Sequence, residues 1–109
     1  MAFDPVLAER IRAHFAGRPE ISERRMFGGV AFLHHGNLCC GVVRQRLMAR
    51  VGPDQYLDAL GLPHASEMDF TGRPLRGMVY VGPEGCGTGA ELAAWLDRCE
   101  SFVAELPPK

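Results

Sequence analysis

The last part of the chain carries the pattern that most restricts how it can fold. Leu92, Trp95, Leu96, Cys99, Phe102, Val103 and Leu106 recur at helical spacing and fill one side of a helical wheel. Pro107-Pro108 stops the run. A helix with so broad an apolar stripe is not stable alone in water and needs a wide apolar surface to cover. The upstream segments able to supply one are short and rich in β-formers: Val30 to Leu33, Leu38 to Val43, Arg46 to Val51 and Met78 to Val81.

Tight connections make those strands antiparallel. Gly36-Asn37 between the first two runs suits a two-residue hairpin turn, which would set His35 opposite Leu38 and His34 opposite Cys39. In the third run Leu47, Ala49 and Val51 alternate with Arg46, Met48 and Arg50, so one set is expected in the core and the arginines in water. Asp4-Pro5 has the form of a helix start, with Val6, Leu7, Ile11 and Phe15 on one face and Gly17 and Pro19 as the stop. Pro53-Asp54 opens a short second helix that ends near Gly61. A further strand is expected around Met68 to Phe70, followed by a Thr71-Gly72 turn. The fold class is α+β: an antiparallel sheet of five to six strands, with the N- and C-terminal helices packed on one face. The 109 residues make one domain with a single core.

Composition narrows the functional classes. Twelve basic residues against thirteen acidic ones leave a net charge of −1, which argues against a dedicated nucleic-acid or membrane-surface protein. No run reaches the roughly 18 apolar residues of a membrane span. The opening Met-Ala-Phe-Asp-Pro has neither the basic nor the apolar region of a signal peptide. A cytoplasmic location is therefore expected, with Cys39, Cys40, Cys86 and Cys99 reduced rather than paired.

Several segments then resemble one family. Arg25-Met26-Phe27-Gly28-Gly29 leading into Val30-Ala31-Phe32 and Gly36 is similar to the "MFGG" signature of the TfoX N-terminal domain family. Leu47 to Val51 with Pro53-Asp54, Met78 to Val81 with Pro83-Glu84, and a closing helix bearing Trp95 resemble its other blocks in the same order. The resemblance implies a small α+β unit whose full-length relatives regulate natural competence genes, with no catalytic residues to carry over. Independently of the family, paired glycines between two strands fit a bulge or a sharp corner, a structural role.

Four sets of residues bear on chemistry. His34 and Cys39, on one face of the expected hairpin, supply two ligands where a structural zinc takes four, and no Cys-x-x-Cys spacing accompanies them. Gly85-Cys86-Gly87-Thr88-Gly89 before the last helix is a loop that could cradle an anion, but neither the dinucleotide nor the Walker pattern is present, and Thr88 to Glu91 forms a capping box. Cys86, near a helix start, has the setting of an exposed, acidified thiol and lacks an assignable base. Arg46, Arg50, Trp95 and Phe102 are the candidates for an interaction surface.

No catalytic set is complete, and no cofactor is called for. The expected function is a non-enzymatic regulatory or protein-interaction domain, with a protein partner or a second copy as ligand. The alternatives are a small-ligand or anion binder, or an enzyme, using the loop of residues 82–89, and weak nucleic-acid binding through the strand arginines.

Overall fold

The computed structural model describes residues 3–26, 28–69 and 74–109. Asp4 Oδ1 accepts from the N–H groups of Val6 and Leu7 at 2.9 and 3.4 Å, and helix α1 (Pro5–His14) starts from that cap. Six strands follow: β1 (Ile21–Met26), β2 (Gly29–His34), β3 (Asn37–Val43), β4 (Arg46–Arg50), β5 (Ala65–Asp69) and β6 (Pro74–Val81). Helix α2 (Tyr56–Leu60) separates β4 from β5, and a 3-10 turn (Pro83–Cys86) leads into α3 (Gly89–Val103).

The strands form one antiparallel sheet in the order β1-β2-β3-β4-β6-β5. Register assigns its two faces. Arg25, Val30, Val42, Leu47, Val81 and Ala65 lie in one row across all six strands, and Arg24, Ala31, Gly41, Met48, Tyr80 and Ser66 lie in the next. Val30, Val42, Leu47 and Val81 join the main core, together with Leu7 and Ile11 of α1, Tyr56 and Ala59 of α2, and Leu92, Leu96, Cys99 and Val103 of α3. All the helices thus pack on one face of the sheet, as expected for α+β. Helix α3 lies over β3 and β4, and α2 reaches β5 and β6.

The opposite face differs from its expectation. Ala31, Leu33, Val43, Met48, Met68, Met78 and Tyr80 form a second buried cluster, with Met26 and Leu38 at its margin. Arg46 is half-buried, its guanidinium 3.8 Å above the Tyr80 ring, rather than simply solvated. The alternation that assigned Leu47 and Ala49 inward is correct. It could not show that the far side is apolar too, because Arg46 and Arg50 flank Met48 there and give the strand a polar appearance.

The β2–β3 hairpin also corrects the sequence reading. Its turn is His35-Gly36, with φ of 49° and 83°, and His34 pairs with Asn37. Two positive φ values define the hairpin turn whose twist matches the strands, and glycine takes the second position. The Asn37 amide is used elsewhere, donating to the Pro107 carbonyl at 2.8 Å. A bulge between Phe32 and Leu33 leaves Leu33 opposite Leu38 and Phe32 opposite Cys40. Cys39 therefore does not face His34. Both Cys39 and Cys40 enter the helix-covered core.

The Gly28-Gly29 corner is built on two different constraints. Gly28 has φ of 73°, and a Cβ on Gly29 would lie 2.0 Å from the Val42 carbonyl oxygen of β3. Met26 and Gly29 close the β1–β2 hairpin as a pair, while Phe27 of the motif falls outside the described residues, as does the expected Thr71-Gly72 turn. Helix α3 ends at Val103, three residues short of its apolar stripe, though Leu106 still packs on the core.

Gly29→Ala should cost about 3 kcal/mol or more, because the obstructing atom is backbone of a central strand. Gly28→Ala should cost about 1–2 kcal/mol from φ alone. Urea denaturation of the two variants beside the parent checks both the order and the sizes.

Candidate functional site

Helix α3 has two working sides. Leu92, Leu96, Cys99 and Val103 turn inward, while Ala94, Asp97, Arg98 and Ser101 run along the outside, with Glu105 just past the helix end. Against that outer side lie the segment after β4 and the turn before β5, and two clefts form between them. One, of about 610 Å³, is lined by Val51, Pro53, Asp54 and Gln55 and by Ala94, Asp97, Arg98, Ser101 and Phe102 of α3, with Glu105 beyond. The other, of about 310 Å³, is lined by Leu62, Pro63, His64, Gly85, Glu91 and Trp95. Ala94 and Arg98 line both, so the two are halves of one groove.

Its aromatic anchors are held by arginines. Arg98 lies 5.7 Å from the Trp95 ring centroid and donates from Nη1 to Gln55 Oε1 at 3.0 Å, tying α3 to the 53–55 turn. Arg50 lies 5.3 Å from the Phe102 ring and donates to the Leu38 carbonyl at 3.1 Å. Phe102 rests on Gly52, where a Cβ would come within 2.4 Å of the ring. Cation–π contacts of this kind contribute about 0.5–1 kcal/mol at exposed sites and orient the rings.

Of the four residues proposed for an interaction surface, the structure brings Arg50 and Phe102 together. Trp95 lines the smaller cleft while largely buried, and Arg46 lies apart, on Tyr80. Arg98 was missed. Its position three residues after Trp95 on a helix was the available signal.

The glycine-rich loop is internally committed. Thr88 Oγ1 accepts from the Glu91 N–H at 3.1 Å, and Glu91 Oε1 accepts from the Thr88 N–H at 3.0 Å, completing the capping box. Arg10 donates to the carbonyls of Thr88 and Gly87 at 3.1 and 3.4 Å. The hydrogen bonds from Thr88, its backbone N–H first and then its side chain, hold the Glu91 carboxyl below the usual carboxylate range. Gly85 lines the smaller cleft, whereas Gly87 and Gly89 face solvent.

Cys86 is corrected outright. It is 1% exposed, its thiol lies 3.7 Å from the Gly82 carbonyl oxygen, and burial pushes its pKa up. Cys40 is raised by its hydrogen bond to Cys39 and by burial, and Cys99 by burial. All four cysteines are free and buried.

His34 and Cys39 do not form a pair. His34 is 9% exposed and approaches Glu20 and Glu100 instead, while His14 approaches Asp97 and Glu100. Arg18 already pairs with Glu100, the carboxylate common to both clusters, and with Glu20, to which it donates at 2.6 Å. The bond from Arg18 holds the Glu20 carboxyl below its ordinary value. A metal cation there would have to displace a guanidinium.

A sheet with every helix on one face, and a groove on the outer side of the last helix, makes this a two-layer α+β domain whose open surface is a cleft between elements. The sequence profile of the TfoX N-terminal domain family matches residues 13–103, and the chain belongs to that family. Searches of the curated proteins and of the solved structures give no match.

The buried thiols should resist iodoacetamide in the native protein at pH 8 and react fully in urea, which mass spectrometry of alkylated cysteines reads directly. Glu91 and Glu20 have depressed pKa values, so the stability each adds is present above the unfolded carboxylate pKa and is lost as pH falls through the folded one. Thr88→Ala should cost about 1 kcal/mol at neutral pH. Glu91→Gln should flatten the decline in Tm below about pH 4.5, the ordinary carboxyl value, in an acid melting series.

Proposed function

We propose that this chain is a non-enzymatic protein-interaction domain with a regulatory role, acting in the cytoplasm through the groove along α3. The groove is the observation that carries the reading: Trp95 and Phe102 are set in it by Arg98 and Arg50, with charged side chains around them. Aromatic anchors ringed by polar groups are characteristic of protein interfaces. The resemblance to the domain that, in longer relatives, belongs to competence regulators supports a regulatory role.

The reactive groups support it as well. A cysteine nucleophile needs an accessible thiolate and an adjacent base; here all four thiols are buried, and His14 and His34 both lie beside Glu100, which is tied to Arg18. Four free thiols suit a reducing compartment. Among the described residues, no helix is long and apolar enough to cross a membrane.

A second reading has one observation in its favour. The 310 Å³ cleft beside Gly85 lies at the lower end of the size range of small-molecule sites, about 300–1,000 Å³.

The test is photo-crosslinking from position 94 in the groove, with position 24, exposed on β1 in the row that faces away from the helices, as control. A protein captured from 94 and not from 24, and lost when Trp95 is replaced by Ala in a variant that still folds, supports the interaction reading. A small molecule retained in native mass spectrometry and lost in the same variant replaces it with the ligand reading.

A further inference from the structure

The charge of the groove names the kind of partner it fits. Asp54, Asp97 and Glu105 line the larger cleft and Glu91 the smaller. Against these four carboxylates stands the guanidinium of Arg98, already committed to Gln55 and to the Trp95 ring. His64, exposed at the mouth of the smaller cleft, is the other titratable group there.

The carboxylates are not equally available. Glu91 is occupied by the Thr88 cap, and Asp97 has His14 Nε2 at 3.6 Å while its side chain stays 69% exposed. Asp54 and Glu105 make no ion pair among the described residues, and both are exposed. This negative strip sits in a chain whose overall charge is close to neutral, so the sign of the groove is a local property. The stripe from Glu91 to Ser101 spans about 15 Å at 1.5 Å per helical residue, room for a short peptide segment.

From this placement we propose that the groove binds a basic polypeptide segment of a partner protein, with an apolar side chain seated against Trp95 and lysines or arginines facing Asp54, Asp97 and Glu105. The proposal rests on the interaction reading above and specifies its ligand. Nucleic acid and phosphorylated ligands are disfavoured by the same carboxylates, because like charges across an interface are repulsive. Docking would cover the Trp95 edge and pair Asp54 and Glu105, the two groove carboxylates that make no ion pair among the described residues.

The probes are three short synthetic peptides with one shared apolar pattern and no tryptophan, their polar positions filled with lysine, glutamate or serine. Trp95 is the sole tryptophan of the chain, so its emission reports on the cleft, and amide shifts of Ala94, Arg98 and Ser101 localise the contact. The lysine peptide should bind at least about tenfold tighter than the serine peptide and weaken as salt rises, and the glutamate peptide should bind least. The triple variant Asp54→Lys, Asp97→Lys, Glu105→Lys should reverse that order. Asp58→Lys with Glu67→Lys, outside the groove, should leave it unchanged.

Equal binding of the three peptides in the groove would overturn the basic-partner proposal while leaving the interaction reading intact. So would self-association in sedimentation that is abolished by the triple variant, since the occupant would then be a second copy. If no peptide perturbs the groove and crosslinking from position 94 captures no protein, both fall.

Discussion

The seating of α3 on β3 and β4 is the contact on which the rest of the molecule depends. Leu96, Cys99 and Val103 are fully buried there and Leu92 nearly so. Each fully buried Leu or Val side chain contributes about 2 kcal/mol, so rotating the helix about its axis would forfeit several such contributions. Because the inward stripe is fixed, the outward one is fixed as well. Ala94, Arg98 and Ser101 face the 53–55 turn as a geometric consequence of where Leu92 and Leu96 go. The groove is thus a by-product of core packing.

The sheet is prepared for that helix by close backbone approach. Gly29 lets β2 lie against the Val42 carbonyl, and the β2–β3 bulge turns Cys39 and Cys40 together toward Cys99. Small thiols suit this place because they fill the space beneath α3 without forcing it away from the strands. The same packing withdraws the reactivity of Cys40 and Cys99, since the Cys39 contact and burial disfavour the first thiolate and burial the second. Structural use and chemical use compete for these sulfurs, and packing prevails.

Periodic features of the sequence were legible, and features that depend on a single residue of offset were not. The stripe from Leu92 to Val103, the Asp4 and Thr88 caps and the alternation of Leu47 with Met48 each repeat or signal locally, and the fold follows from them. The hairpin turn fell one residue from its expected place because Gly36 serves equally well as the first or second residue of a two-residue turn on composition alone. Contacts with Pro107 and Lys109 at the far end of the chain accompany the observed choice. That single offset, with the bulge beside it, dissolved the supposed His34–Cys39 pair. The apolar second face was hidden for a related reason: long arginine side chains can cover apolar surface with their stems while their heads look polar in sequence.

Candidate sites read from residue type alone were absorbed by local structure in the same way. The loop before α3 spends its donors on a cap and its carbonyls on Arg10, so a composition suited to phosphate becomes a helix start. Arg46, Arg50 and Arg98 spend their faces on Tyr80, Phe102 and Trp95. What stays open is the surface whose groups find no partner among the described residues, and in the groove those are Asp54 and Glu105. An unpaired charge beside an anchored aromatic leaves unused interaction energy at the surface, and a segment of opposite charge with one apolar residue is the simplest ligand able to use both at once.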